Sequence, residues 1–188
     1  MWVCSISAAI SARRSTTTRL NGGYTPYNDP GQLPSTPLRL PSREWLKLEV
    51  ALPGYSVWIR AWQAQVGRVK LYLLESNDTV NTLAHRAMTS ELCGGGPEVG
   101  LKQELTLGIG GWRLLTATGL SPDVCHLNEG HSAFALLERD RTHMQATSQP
   151  FDVTRATIRA GSLFLTHAIV YAGIDRFDPA LIEQYLTR

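Results

Sequence analysis

Between Leu46 and Leu73 apolar residues fall on every second position, a period that extended chain satisfies and a helix does not. Leu46, Leu48, Val50 and Leu52 alternate with Lys47 and Glu49, Pro53-Gly54 interrupts, Val57, Ile59 and Ala61 resume, and Val69, Leu71 and Leu73 repeat the pattern. Paired strands gather such residues on one side, so the segment predicts an antiparallel meander with one buried face made from these alternating residues. Trp58 and Trp62 then share a face with Arg60 between them. That arrangement suits core packing first and sugar stacking second, because tryptophan buries so much area.

After Asn81 the period changes. Leu101, Leu105, Ile109, Trp112 and Leu115 recur at helical spacing up to Gly119, with Ser121-Pro122 just beyond, which predicts a long amphipathic helix. Residues 123–127 then read as a short strand, 131–139 and 153–160 as helices, and 163–167 as a second apolar strand. Asp178 and Pro179 suit the N-cap and first residue of a last helix reaching Leu186. This order implies parallel strands covered by helices. The expected fold class is α/β: an antiparallel meander followed by Rossmann-like βα units. A sheet of that kind needs more strands than two, so the chain reads as part of a larger domain.

The first 42 residues differ in composition from the rest. They are rich in Ser, Thr, Arg and Pro, with prolines at 26, 30, 34, 37 and 41, and predict an irregular leader ahead of a folded segment spanning 43–188. The whole chain carries 18 basic and 16 acidic side chains, too even a balance to hold nucleic acid or an anionic membrane by its field. No apolar run reaches the roughly 20 residues of a membrane-spanning helix. Cys4, Cys93 and Cys125 form no C-x-x-C pair, so neither a disulfide framework nor a zinc site is expected, and a reducing cytoplasm fits.

Two motifs carry chemistry. Gly108-Ile109-Gly110-Gly111 lacks the spacing of a dinucleotide loop and falls inside the helical pattern, where its glycines predict close helix packing. His126-Leu127-Asn128-Glu129-Gly130-His131 stands where a strand hands over to a helix, the place where open α/β sheets bind ligands. Residues 166 and 167 end the second strand in the same way, so the two polar clusters are expected to face one crevice, with a satisfied structural histidine at 167 as the simpler reading. Asn128 as a helix cap and His126 as a buried structural histidine form the simpler alternative. A metal-dependent hydrolase using His126, Glu129 and His131 is a further one, although their order is not H-E-x-x-H.

The segments LTLGIGGWRLL, PDVCHLNEGHSAFALLER and THAIVYAGIDRFDPALIEQYL resemble consecutive landmarks of the α-glucan (glycogen) phosphorylases, a family of retaining glycosyltransferases. WLKLEVALPG through WQAQVGRVKLYLL resembles the stretch before them, and together these cover about residues 43–187. The resemblance implies part of the N-terminal domain of a GT-B fold, and phosphorolysis of α-1,4-glucan by inorganic phosphate to glucose 1-phosphate. It also implies pyridoxal phosphate on a lysine of the C-terminal domain, a motif absent here, and a full-length parent that forms a homodimer. On this reading Asn128, Glu129, His131 and His167 line the glucosyl pocket, no catalytic set is complete, and the chain alone is inactive. A non-catalytic glucan-binding or interaction module is the alternative. Ala168, Ile169 and Tyr171 replace the family's usual threonine and prolines, so this loop departs from the pattern.

Overall fold

The computed structural model describes residues 3–6, 29–90, 96–167 and 175–186. Cys93, the loop at Ala168, Ile169 and Tyr171, and most of the leader lie outside the described residues.

The meander forms where the alternation predicts it. Strand β3 (Lys47–Leu52) turns through Pro53 and Gly54 into β4 (Tyr55–Val66), which turns through Gly67 and Arg68 into β5 (Val69–Glu75). Gly54 takes φ +80° after a proline, a conformation that costs glycine nothing because it has no Cβ. Lys47 to Leu52 pair antiparallel with Arg60 to Tyr55, and Val69 to Glu75 pair with Val66 to Arg60 along the other edge. Leu48, Val50, Leu52, Val57, Ile59 and Ala61 are buried on one face.

The third strand departs from expectation. Tyr72 and Leu74 pack on the core, whereas Val69 and Leu71 are 65% and 44% exposed. The two-residue turn fixes the pairs Leu74↔Ala61 and Leu73↔Trp62, which puts the even positions of β5 inward. The segment carries apolar residues on both parities, and only the register selects between them.

Regular structure also begins ahead of Arg43, where the sequence predicts an irregular leader. Strand β1 (Val3–Ile6) runs parallel to β6 (Val124–Asn128), with Val3 opposite Val124 and Ile6 opposite Leu127. A 3-10 turn (Pro30–Gln32) is capped by Asp29, whose carboxylate accepts from the Gly31 N–H at 2.8 Å. Strand β2 (Thr36–Pro37) pairs with Gln63 and Trp62 of β4. A four-residue strand leaves no periodic signature, and Pro30 and Pro37 occupy a turn start and an edge strand, where a missing N–H is tolerated.

A short helix, α1 (Leu83–Arg86), follows the meander. The long helix then comprises α2 (Pro97–Leu105), one π-helical turn (Thr106–Gly110) and α3 (Gly111–Ala117). Its two sides serve two cores. Leu101, Leu105 and Leu114 pack on the meander, while Leu107, Trp112 and Leu115 pack with Cys125 and Leu127 of the second sheet. The second sheet has the order β1, β6 (Val124–Asn128), β7 (Ser162–Leu165), all parallel, with α4 (Phe134–Thr147) and α5 (Phe151–Ala160) between the last two strands. Helix α6 (Pro179–Leu186) begins as predicted, its Asp178 carboxylate accepting from the Ala180 N–H at 2.8 Å, and Tyr185 seats it by donating to Glu98 at 2.6 Å. The architecture is thus mixed α/β, an antiparallel sheet and a parallel one sharing a helix.

Candidate functional site

Strands β6 and β7 run side by side in register, Asn128 opposite Leu165, so their carboxyl ends deliver residues 128–129 and 166–167 to one place. Alternation along β6 sends Cys125 and Leu127 into the core at 0% exposure and leaves His126 and Asn128 half-buried on the other face.

Five residues of this edge interlock. The Glu129 backbone N–H donates to the Leu165 carbonyl at 2.8 Å. Its carboxylate accepts from the Thr166 hydroxyl at 3.1 Å and from the His167 backbone N–H. The His167 Nε2 meets the Asn128 Oδ1 at 3.2 Å; since the amide oxygen only accepts, this contact calls for the proton on Nε2. The His167 N–H holds the Glu129 carboxyl below its usual pKa against the opposing effect of desolvation, with help from the Thr166 hydroxyl and from His167 and His131. His131 lies half-buried in the adjoining 3-10 turn (Gly130–Ser132). Asn128 does not cap the helix, as the simpler reading had it: the cap position belongs to Glu129, and the Asn128 side chain turns to His167.

Glu129 adopts φ +66° and ψ 170°. That region is occupied essentially by glycine, and a side chain there costs on the order of 1–3 kcal/mol. The glutamate is held in it by the three hydrogen bonds to residues 165–167.

The other expected features resolve differently. The Gly108–Gly111 segment lies in the π-helical turn and start of α3, and Gly108 packs tightly against the start of α4. Trp62 is 9% exposed, donates from Nε1 to Glu75 at 2.8 Å and meets Trp45 edge-on at 4.9 Å, so it packs and offers no stacking face. Among the described residues no three His, Cys, Asp or Glu side chains gather into a metal-binding set, which counts against the His126, Glu129 and His131 alternative. A cavity of about 450 Å³ opens away from the cluster, near the residues that lead into β6, and is lined by Trp112, Arg139, Thr142 and His143. Its polar groups serve the fold. Arg139 donates to the Gly161 carbonyl at 2.9 Å and Trp112 Nε1 to the Thr142 hydroxyl at 2.9 Å.

Sequence reading missed two carboxyl relationships: the reach of Glu129 to the end of β7, and the contact of buried Glu104 in α2 with Asp175. Nothing local marks either one, because both join segments far apart in sequence. No helix among the described residues is long and apolar enough to cross a membrane.

Fold and site define an α/β segment whose polar cluster stands at the carboxyl ends of parallel strands, beside a helix start, the place where open α/β sheets offer a crevice. The chain is 37% identical over 163 residues to the maltodextrin phosphorylase of Thermococcus litoralis, covering 87% of this chain and 20% of that protein. It is 39% identical over 167 residues to the glycogen phosphorylase of Mycobacterium tuberculosis, covering 86% and 19% respectively. The glycogen phosphorylase of Aquifex aeolicus is 29% identical over 141 residues. No protein-family model matches the chain. Most of the chain is therefore homologous to one stretch of the maltodextrin and glycogen phosphorylases, and it spans about one fifth of their length.

Proposed function

We propose that this chain supplies one wall of the glucosyl pocket of an α-glucan phosphorylase, within the N-terminal domain of a GT-B fold. The observation that carries the reading is the meeting of Asn128, Glu129 and His167 at the carboxyl ends of two adjacent parallel strands, with His131 beside them. Glucose is recognised through its hydroxyls, and an amide and imidazoles supply both donors and acceptors on a rigid support. In the whole enzyme this wall would orient the terminal residue of an α-1,4-glucan for attack by inorganic phosphate, releasing glucose 1-phosphate. His167 would steady the sugar ring as charge develops on it. The homodimer and the cytoplasmic setting expected of the parent belong to the same proposal.

Pyridoxal phosphate, which the reading assigns to the whole enzyme, does not fit the lysines of this chain. A lysine that forms a Schiff base needs a depressed pKa. Lys47 is paired with Asp78 at 2.9 Å. Lys70 is exposed in β5. Although burial opposes it, hydrogen bonding of the ammonium to Glu98 and Tyr185 holds Lys102 well above its usual value. One wall supplies neither a clamp for phosphate nor a proton shuttle, so the chain alone is expected to bind glucan without turning it over.

Calorimetric titration of the chain with maltoheptaose tests the reading. Saturable binding that weakens about tenfold in H167A supports it, since that is the loss expected for one hydrogen bond to a bound ligand. Absence of binding removes it, and release of glucose 1-phosphate by the chain alone would overturn the expected inactivity.

A further inference from the structure

Glu129 makes contact with three consecutive residues at the exit of β7: its N–H donates to the Leu165 carbonyl, and its carboxylate accepts from the Thr166 hydroxyl and the His167 N–H. It does so from a backbone conformation with φ +66° that favours glycine, although a glycine, Gly130, is the very next residue. A chain that needed only the turn would place glycine at 129. The glutamate stands where its backbone is strained, and its carboxylate reaches across to the neighbouring strand end.

The result is a histidine fixed at two points. The His167 backbone is tied to Glu129 and its ring Nε2 to Asn128. We propose that Glu129 is a positioning residue: it locks the end of β7 so that the His167 imidazole is presented beside Asn128 in one tautomer, and the sugar is met by His167 and Asn128 rather than by Glu129. The sugar part of this inference rests on the glucan-pocket reading above. The locking of the ring does not.

The test compares wild type with E129G, E129A, E129Q and H167A, all in the full chain. Nitrogen-15 imidazole spectra, with the His167 signals assigned by their loss in H167A, report the tautomer, and maltoheptaose titration reports affinity. In wild type the His167 ring is expected as a single tautomer protonated on Nε2. In E129G and E129A it averages between tautomers while the melting temperature stays level or, in E129G, rises. E129Q, which keeps one acceptor oxygen, restores the wild-type ring signature. Affinity falls about tenfold in E129G, and E129G/H167A is no weaker than H167A alone. A wild-type tautomer in both E129G and E129A overturns the lock. A further loss on adding E129G to H167A overturns the positioning role, because Glu129 would then touch the sugar itself. If wild type binds no maltoheptaose, the glucan reading fails and the ring spectra alone decide the lock.

Discussion

Gly108 approaches helix α4 so closely that a methyl group on it would stand 2.6 Å from the backbone nitrogen of Ala135 and 2.7 Å from the Cβ of Phe134. Backbone cannot swing aside as a flexible side chain does, so the two helices would have to separate. G108A is expected to destabilise the chain by about 3 kcal/mol, overpacking outweighing the gain of about 1 kcal/mol in helix propensity. Gly110, two residues on, is the internal control. There an added methyl would meet only Leu74 at 3.5 Å and Val50 at 3.6 Å, ordinary contacts, and G110A is expected to be neutral or stabilising. Urea unfolding midpoints of the two variants decide; equal midpoints would show that the helix contact is soft.

Glu104 sets the pH dependence of stability on the neutral side. It is 8% exposed, and burial first, then the charge of Asp175 and a hydrogen bond to it, push its pKa from 4.5 up to about 7. Asp175 is the charged group that bears on it; Glu98 and Lys102 of the same helix are paired with each other at 2.8 Å. The folded chain holds this proton more tightly than the unfolded chain does. The contribution is therefore complete below about pH 4.5, declines as pH rises through about 7, and is lost above it. E104Q is expected to be more stable than wild type by on the order of 2–3 kcal/mol at pH 8 and by nothing measurable at pH 4. Thermal melts across that range test this, and a gain independent of pH would rule out ionisation as its cause.

What the sequence made legible was whatever repeats over short distances. The helical spacing of Leu101, Leu105, Trp112 and Leu115 survives a π-helical turn because it is reinforced every third or fourth residue. Asp178-Pro179 marks a helix start by itself. The face of β5 was misread because Val69, Leu71 and Leu73 form one alternation and Tyr72 and Leu74 another, and the choice lies in the pairing with β4. Strand β1 escaped notice because four residues carry no period and its partner begins at Val124. At the candidate site the residue types and the strand ends were legible. The direction of each side chain was not, since the contacts of Glu129 with Thr166 and His167 exist only once two strands lie in register.

Glu75 anchors the outer face of the meander. It is 5% exposed, and one carboxylate oxygen accepts from both Arg60 Nη2 and Trp62 Nε1 at 2.8 Å. Arg60 in turn lies over the Trp45 ring at 4.5 Å. Removing the acceptor leaves a guanidinium and an indole N–H without it in a mostly buried setting. E75A is expected to cost about 3 kcal/mol, whereas E75Q, which still accepts from Trp62, costs about 1–2 kcal/mol. Near-ultraviolet circular dichroism alongside denaturant titration checks both, since loosening of Trp62 would alter the tryptophan signal. Equal losses in the two variants would mean that the charge, not the acceptor, matters.

Asp140 supplies the complementary test, because it is a buried acid that the fold serves poorly. It is 5% exposed, and its Oδ1 has no hydrogen-bond partner. Burial raises its pKa, and the opposing charges of Arg155, Arg139 and His143 do not overcome that. Such a group weakens the fold once ionised, and the penalty appears as pH rises through its raised folded pKa. D140N removes the ionisation at almost constant shape. It is expected to gain about 1 kcal/mol at neutral pH, from relief of a poorly compensated buried charge, and to match wild type in strongly acidic solution, where both side chains are neutral. Arg139 need not lose its support in the variant, because it donates to the carbonyl of Gly161 and the hydroxyl of Ser162. The E104Q and D140N gains should add, because the two acids lie in different helices and share no hydrogen bond. A destabilised D140N at neutral pH would show instead that the arginines and His143 need the charge, and that attraction, not burial, governs this position.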